Sequence, residues 1–180
     1  ENGAYAISVI TEEKFFQGSL HFLSDIKKAV KLPVLRKDFL IDEYEIFESK
    51  SYSADCILLI SEILERSQIK DFLDITKEID LDVLLEIHSL KAYEKVSDLS
   101  GFLLGINNRD LETLKIDVNN AFEIIKSIPP NLPIIVESGI DDRKTIERYL
   151  DVGVSGFLIG TSLIKSSDIG KKLRELIGIL

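Results

Sequence analysis

Pro33-Val34-Leu35-Arg36-Lys37-Asp38-Phe39 carries an apolar, β-branched run straight into a lysine and an aspartate. Comparable runs recur at Ala6-Ile7-Ser8-Val9, Cys56 to Ile60, Val83-Leu84-Leu85, Phe102 to Ile106, Pro133 to Val136 and Gly156 to Ile159, which makes seven candidate strands. Most are continuously apolar rather than alternating, as expected of parallel strands covered on both faces. Amphipathic stretches separate them, at Leu20 to Val30, Tyr44 to Lys50, Ser67 to Ile79, Leu90 to Val96, Val118 to Ile128 and Arg143 to Leu150. With charges gathered on one face, these read as helices. Six steps from Ala6 to Gly156 take about 25 residues each, a repeat that suits a barrel or a doubly wound sheet. No Gly-x-Gly-x-x-Gly follows the first strand and no Walker-type glycine loop occurs. That weakens the nucleotide-binding open sheet and favours an α/β fold of the TIM (βα)8 type.

The 180 residues suit one domain spanning 1–180. A net charge of −9 repels nucleic acid and anionic membrane surfaces, so an anionic ligand has to be met by a local cluster of donors. Cys56 is the only cysteine and lies inside an apolar run. It offers no internal disulfide, fits a reduced cytoplasmic compartment, and reads as a small buried hydrophobe rather than a nucleophile. No run reaches the 18 apolar residues of a membrane span, and Glu1-Asn2-Gly3 lacks a basic or apolar signal region. The chain contains no methionine, so its first residue need not be the biological start.

Chemistry gathers after the runs, whereas their starts carry mainly Gly, Pro, Asp or Leu. Lys37-Asp38 follows the second run, Glu86-Ile87-His88 the fourth, Asn107-Asn108-Arg109 the fifth, Glu137-Ser138-Gly139 the sixth and Gly160-Thr161-Ser162 the last. In a TIM barrel the loops after the strands build the active site. Polar residues end many strands, but a set holding Lys, two Glu, Asn and Arg is less ordinary. Glu137 to Ile140 and Gly160-Thr161-Ser162 suggest a phosphate cradle of backbone N–H groups, although a Gly-Thr-Ser turn capping a helix would look the same. Lys37 is a candidate general acid and Glu86 the opposing base, and the two could equally form a simple ion pair. Asn107 could orient a hydroxyl or carboxylate, while Arg109 fixes an anion or the loop itself. His88 has no second His or Cys nearby to build a metal site and reads as a loop or core residue. Phe15, Phe16, Phe39 and Leu58 could line an apolar slot or simply pack a core.

Together these residues resemble the indole-3-glycerol-phosphate synthase family, in family order along nearly the whole chain. The matching segments are Ser8-Val9-Ile10-Thr11-Glu12 with Phe16-Gln17-Gly18-Ser19, Leu35-Arg36-Lys37-Asp38-Phe39, Ile57 to Ile60, Glu86-Ile87-His88, Gly105-Ile106-Asn107-Asn108-Arg109-Asp110-Leu111, Val136-Glu137-Ser138-Gly139-Ile140 and Gly156 to Gly160. The resemblance implies a carboxy-lyase of tryptophan biosynthesis that closes the indole ring of 1-(2-carboxyphenylamino)-1-deoxyribulose 5-phosphate, with no metal or organic cofactor. It implies catalytic roles for Lys37, Glu86 and Asn107, and substrate contacts from Phe16, Phe39, Leu58, Arg109, Glu137 and Ser138. Gly139, Gly160 and Thr161 would hold phosphate.

The family's first strand, resembling Glu-x-Lys-x-x-Ser-Pro-Ser, has no match here. An incomplete barrel of seven βα units is therefore expected, truncated at its N-terminus, with two open sheet edges that invite self-association and with little or no turnover. Other tryptophan-pathway enzymes are the expected partners. Ser53 stands where the family usually has Gly. Two rival readings are a related sugar-phosphate isomerase, which would need a cysteine and aspartate pair, and a non-catalytic phosphate-binding remnant.

Overall fold

The computed structural model describes residues 2–130 and 132–179. The chain divides into two units, one of Tyr5–Glu86 with Ala92–Phe102, the other mainly the chain from Leu103 onward together with Ile87–Lys91.

In the first unit β1 (Ile7–Ile10), β2 (Val34–Lys37), β3 (Cys56–Ile60) and β4 (Asp82–Ile87) run parallel in chain order. The crossovers carry α1 (His21–Ala29), α2 (Glu43–Ser51) and α3 (Arg66–Glu78), and α4 (Leu90–Val96) follows β4. Each parallel step requires such a crossover, which is why the apolar runs alternate with amphipathic ones. Val34, Ile57, Leu59, Val83 and Leu85 pack with Leu23, Ile46, Ile69 and Phe72 of the helices. Successive strand side chains alternate in direction, so Leu35, Lys37, Leu58, Ile60, Leu84 and Glu86 take the other face.

Asp42 caps α2 by accepting the Tyr44 N–H at 2.8 Å, and Glu45 reaches back to the Asp42 N–H at 2.9 Å. The helix ends at Tyr52, and Ser53 turns the chain with φ +67°.

In the second unit β5 (Leu103–Asn107), β6 (Ile134–Glu137) and β7 (Gly156–Leu158) are also parallel and in chain order. Around them lie α5 (Asn119–Ile125), α6 (Arg143–Asp151), α7 (Thr161–Ile164) and α8 (Ile169–Ile177). Tyr149 of α6 is fully buried and stacks on Phe122 of α5, with centroids 4.1 Å apart and planes at 5°.

All seven expected strands form, within a residue or two of their expected ends. The expected helix from Val118 to Ile128 stops at Ile125, ahead of a turn that leads into Pro129-Pro130. A helix opening at Gly160-Thr161-Ser162 is one of the two readings of that turn, and α7 is that helix; α8 was not expected. The first is a single turn, too short for a period to show, whereas α8 does carry boundary signals: Asp168 caps its start and Gly178, at φ +78°, ends it.

Candidate active site

In the first unit the C-terminal ends of β2 and β4 hold one ion pair. Lys37 Nζ lies 3.0 Å from Glu86 Oε2, and the Glu86 side chain is 2% exposed against 26% for Lys37. The carboxylate is thus buried while the ammonium stays reachable from solvent. Parallel register sets Ile60 beside Glu86 and Leu58 beside Leu84, so apolar side chains share the face on which the pair sits. Leu58 is a buried part of that face.

The aromatic residues are carried by loops rather than strands. Phe16 and Phe39 are brought together with ring centroids 6.3 Å apart at 38°, and both remain partly exposed. Glu12 holds the first loop, accepting the N–H groups of Lys14, Phe15 and Phe16 at 3.0, 2.6 and 2.9 Å. Gly18 closes it by lying against the chain it came from: a Cβ there would stand 2.5 Å from the Ile10 carbonyl oxygen. Phe15 does not join the pair but is exposed beneath the Lys14 ammonium.

Sequence reasoning passed over Arg36, which is 3% exposed and points away from Lys37. Its guanidinium donates to Thr11 Oγ1 (3.2 Å), the Glu45 carbonyl (3.1 Å), Glu48 Oε2 (3.1 Å), Ser49 Oγ (3.0 Å) and Asp38 Oδ2 (3.2 Å). Asp38 Oδ2 also accepts the Thr11 hydroxyl at 2.6 Å, and Oδ1 accepts the Phe39 N–H at 2.9 Å. One buried cation thereby ties the ends of β1 and β2 to α2, and fixes the segments that lead to Phe16 and Phe39. The visible signal was a charged residue inside an apolar strand, which a buried position tolerates only when it is paired.

Cys56 lies at the other end of its strand from the Lys37–Glu86 level. Burial, with the neighbouring carboxylates of Asp82 and Asp55, pushes its thiol up to about 12. That chemistry disfavours the isomerase reading, which needs a reactive thiolate. Among the described residues no group of three or more His, Cys, Asp or Glu could hold a metal ion.

In the second unit Asn107 and Glu137 end neighbouring strands and lie opposite each other in the ladder, at 9% and 1% exposure. Asn107 Oδ1 accepts the Arg109 N–H at 2.9 Å. Arg109 turns into its own hairpin, pairing with Ile116 and donating from Nη1 to the Leu114 carbonyl at 3.1 Å. The Leu114 contact is the loop-holding use expected for Arg109.

After Glu137 come two left-handed residues, Ser138 at φ +65° and Gly139 at φ +75°. A Cβ on Gly139 would stand 2.7 Å from Val118 Cγ1 and 2.8 Å from Ile116 Cγ2, so this glycine is demanded by conformation and by space. Gly160 differs. It precedes α7 with φ −120°, and a Cβ there would meet nothing within 4 Å, so neither strain nor packing requires it. Thr161 opens α7 and is exposed.

The family model described as "Indole-3-glycerol phosphate synthase" matches residues 1–176. The indole-3-glycerol phosphate synthase of Aquifex aeolicus (strain VF5) is 45% identical over 179 residues, covering 98% of this chain and 69% of that protein. That of Koribacter versatilis (strain Ellin345) is 42% identical over 178 residues, covering 99% and 68%. Among solved structures, a 3-hexulose-6-phosphate synthase superposes with a TM-score of 0.79 at 15% identity, over 96% of this chain and 86% of that one. The 3-hexulose-6-phosphate synthase from Salmonella typhimurium also gives 0.79, at 14% identity, over 96% and 85%. The structural likeness is one of fold, an incomplete TIM-type barrel of seven βα units. No helix among the described residues is long and apolar enough to cross a membrane.

Proposed function

We propose that this chain, which belongs to the indole-3-glycerol phosphate synthase family, uses Lys37 and Glu86 as the proton-handling pair in closing an indole ring. The substrate is an anionic sugar phosphate, 1-(2-carboxyphenylamino)-1-deoxyribulose 5-phosphate, and the products are indole-3-glycerol phosphate, carbon dioxide and water. The observation that carries this reading is the 3.0 Å contact between a reachable ammonium and a buried carboxylate at strand ends.

Ring closure needs the ketone carbon made electrophilic and the substituted ring carbon brought against it. The Lys37 ammonium donates to the ketone oxygen, which takes the proton as the new carbon–carbon bond forms. Loss of carbon dioxide returns electrons to the ring; the new hydroxyl then leaves as water with a proton drawn from solvent, and the carbon beside the nitrogen gives up its proton to complete the indole. Glu86, 3.0 Å from Lys37, receives the proton released in the elimination and passes it to the lysine, restoring the ammonium. Phe16 and Phe39, with Leu58, hold the anthranilate ring, where excluding water strengthens each polar contact.

In the second unit Asn107, Glu137 and Ser138 offer groups suited to sugar hydroxyls, and the N–H groups at Gly139, Gly160 and Thr161 offer donors suited to a phosphate. Arg109 shapes the hairpin beside Asn107.

The test is the rise of indole fluorescence on adding the substrate, measured alongside titration with indole-3-glycerol phosphate. The expected result is product binding retained in Lys37→Ala and Glu86→Gln, with whatever turnover the wild type shows lost in both. Wild-type protein that binds the product without turnover would favour a phosphate-binding protein instead.

A further inference from the structure

We propose that Asn108 is a positioning residue for the Ser138-Gly139 turn, and through that turn sets affinity for the sugar phosphate without touching it. The inference rests on the roles proposed above for Ser138 and Gly139. Asn108 is 2% exposed and follows Asn107 at the end of β5. Its carboxamide is committed on every side: Nδ2 donates to the Ser138 carbonyl and to the Tyr149 hydroxyl oxygen, both at 3.0 Å, and Oδ1 accepts the Ala121 N–H at 3.1 Å. Both amide protons are therefore used. Its backbone N–H donates to the Glu137 carbonyl at 2.9 Å, and its carbonyl accepts the Asp117 N–H at 2.9 Å. A single residue thus joins β6, the turn after it, the start of α5 and the buried face of α6.

Ser138 is where this matters. A non-glycine residue at φ +65° keeps that conformation only when its surroundings over-determine it. Asn108 holds the carbonyl of this residue, while Val118 and Ile116 press on the Gly139 side. If the carbonyl is released, the Ser138–Gly139 peptide can rotate toward ordinary backbone geometry, moving the Gly139 N–H and the Ser138 hydroxyl together. A buried amide that served only the core would instead affect stability alone.

Tyr149 separates these cases. Its hydroxyl bonds Asn108 and donates to the Val118 carbonyl at 2.5 Å, but does not reach Ser138. Tyr149→Phe removes those bonds and keeps the ring stacked on Phe122.

The experiment measures binding of indole-3-glycerol phosphate, urea unfolding and hydrogen exchange at the Gly139 and Ile140 amides, in the wild type, Asn108→Ala, Asn108→Ser and Tyr149→Phe. Asn108→Ser covers the case in which the alanine variant fails to fold. Both Asn108 variants are expected to bind about tenfold more weakly and to exchange the two amides faster. Tyr149→Phe is expected to unfold at lower urea with its affinity unchanged. Unchanged affinity in a folded Asn108 variant, or weakening in Tyr149→Phe that matches its loss of stability, would overturn the inference. A wild type that does not bind the product sinks the proposed function instead. Exchange then still judges the turn, and equal rates in wild type and Asn108→Ser refute the role of Asn108.

Discussion

The Lys37 ammonium lies 3.0 Å from the Glu86 carboxylate although their strands are not neighbours, for β3 runs between them. The pair therefore reaches across Leu58 and Ile60, and its partners are 49 residues apart in the chain. Replacing Lys37 with Met takes the ammonium from a carboxylate that is 2% exposed. Breaking a fully buried pair costs roughly 3–5 kcal/mol, and the partial exposure of Lys37 brings the expected loss to about 1–3 kcal/mol. The double variant Lys37→Met/Glu86→Leu should recover part of it in urea unfolding. Turnover surviving in either variant would remove the pair from the chemistry.

Asp38→Ala takes an acceptor from both Arg36 and Thr11. Arg36 keeps Glu48 and Ser49, so the expected loss of stability is about 1–3 kcal/mol rather than that of an isolated buried cation. The Phe16–Phe39 contact should loosen at the same time, read as weaker cross-relaxation between the two rings by NMR. An intact ring contact in Asp38→Ala would show that the clamp does not govern the aromatic pair.

Two glycines should answer oppositely to alanine. Gly18→Ala drives a methyl to 2.5 Å from a backbone oxygen that cannot move cheaply, and should cost about 1–3 kcal/mol. Gly160→Ala finds open space and should leave stability within about 0.5 kcal/mol, while raising the KM for the sugar phosphate. Thermal melts with steady-state kinetics decide both.

Ser53 occupies a left-handed position at φ +67° just past α2, where glycine carries no penalty. Ser53→Gly should therefore stabilise the protein by about 0.5–1 kcal/mol. A lower denaturation midpoint would contradict the reading of this turn.

Asp142 caps α6, and its carboxyl is held below the usual carboxylate range, first by the Thr145 backbone N–H and then by the Thr145 hydroxyl. A depressed folded value means that the stabilisation is present above the unfolded value of 3.8 and is lost as pH falls through the folded one. Asp142→Ala should cost about 1 kcal/mol at neutral pH. The gap between wild type and variant should close below pH 3.8, as followed by urea unfolding across an acid series. A gap that is constant with pH would show that the charge contributes nothing.

Much of the molecule was legible before any coordinates. Strand positions showed because buried parallel strands are continuously apolar, and that property is local. That Lys37, Glu86, Asn107, Glu137 and the glycine turns each follow a strand showed for the same reason: parallel strands all present one kind of end to one kind of loop. The different placement of Lys37 from Arg36 and Asp38 within Arg36-Lys37-Asp38 did not show. Three consecutive polar residues look alike in sequence, while the strand period of two sends the middle one to the opposite face from its neighbours.

The amino-acid sequence by itself determined the order of βα units, the family and the short list of residues able to do chemistry, since each depends on residue types and spacings within one segment. Tertiary structure alone decided which of those residues meet. That Asn108 holds Ser138, that Arg109 serves its hairpin, and that Arg36 and not Lys37 is the buried clamp depend on contacts between segments 5 to 30 residues apart. Such contacts are set by packing and register, which no single segment encodes.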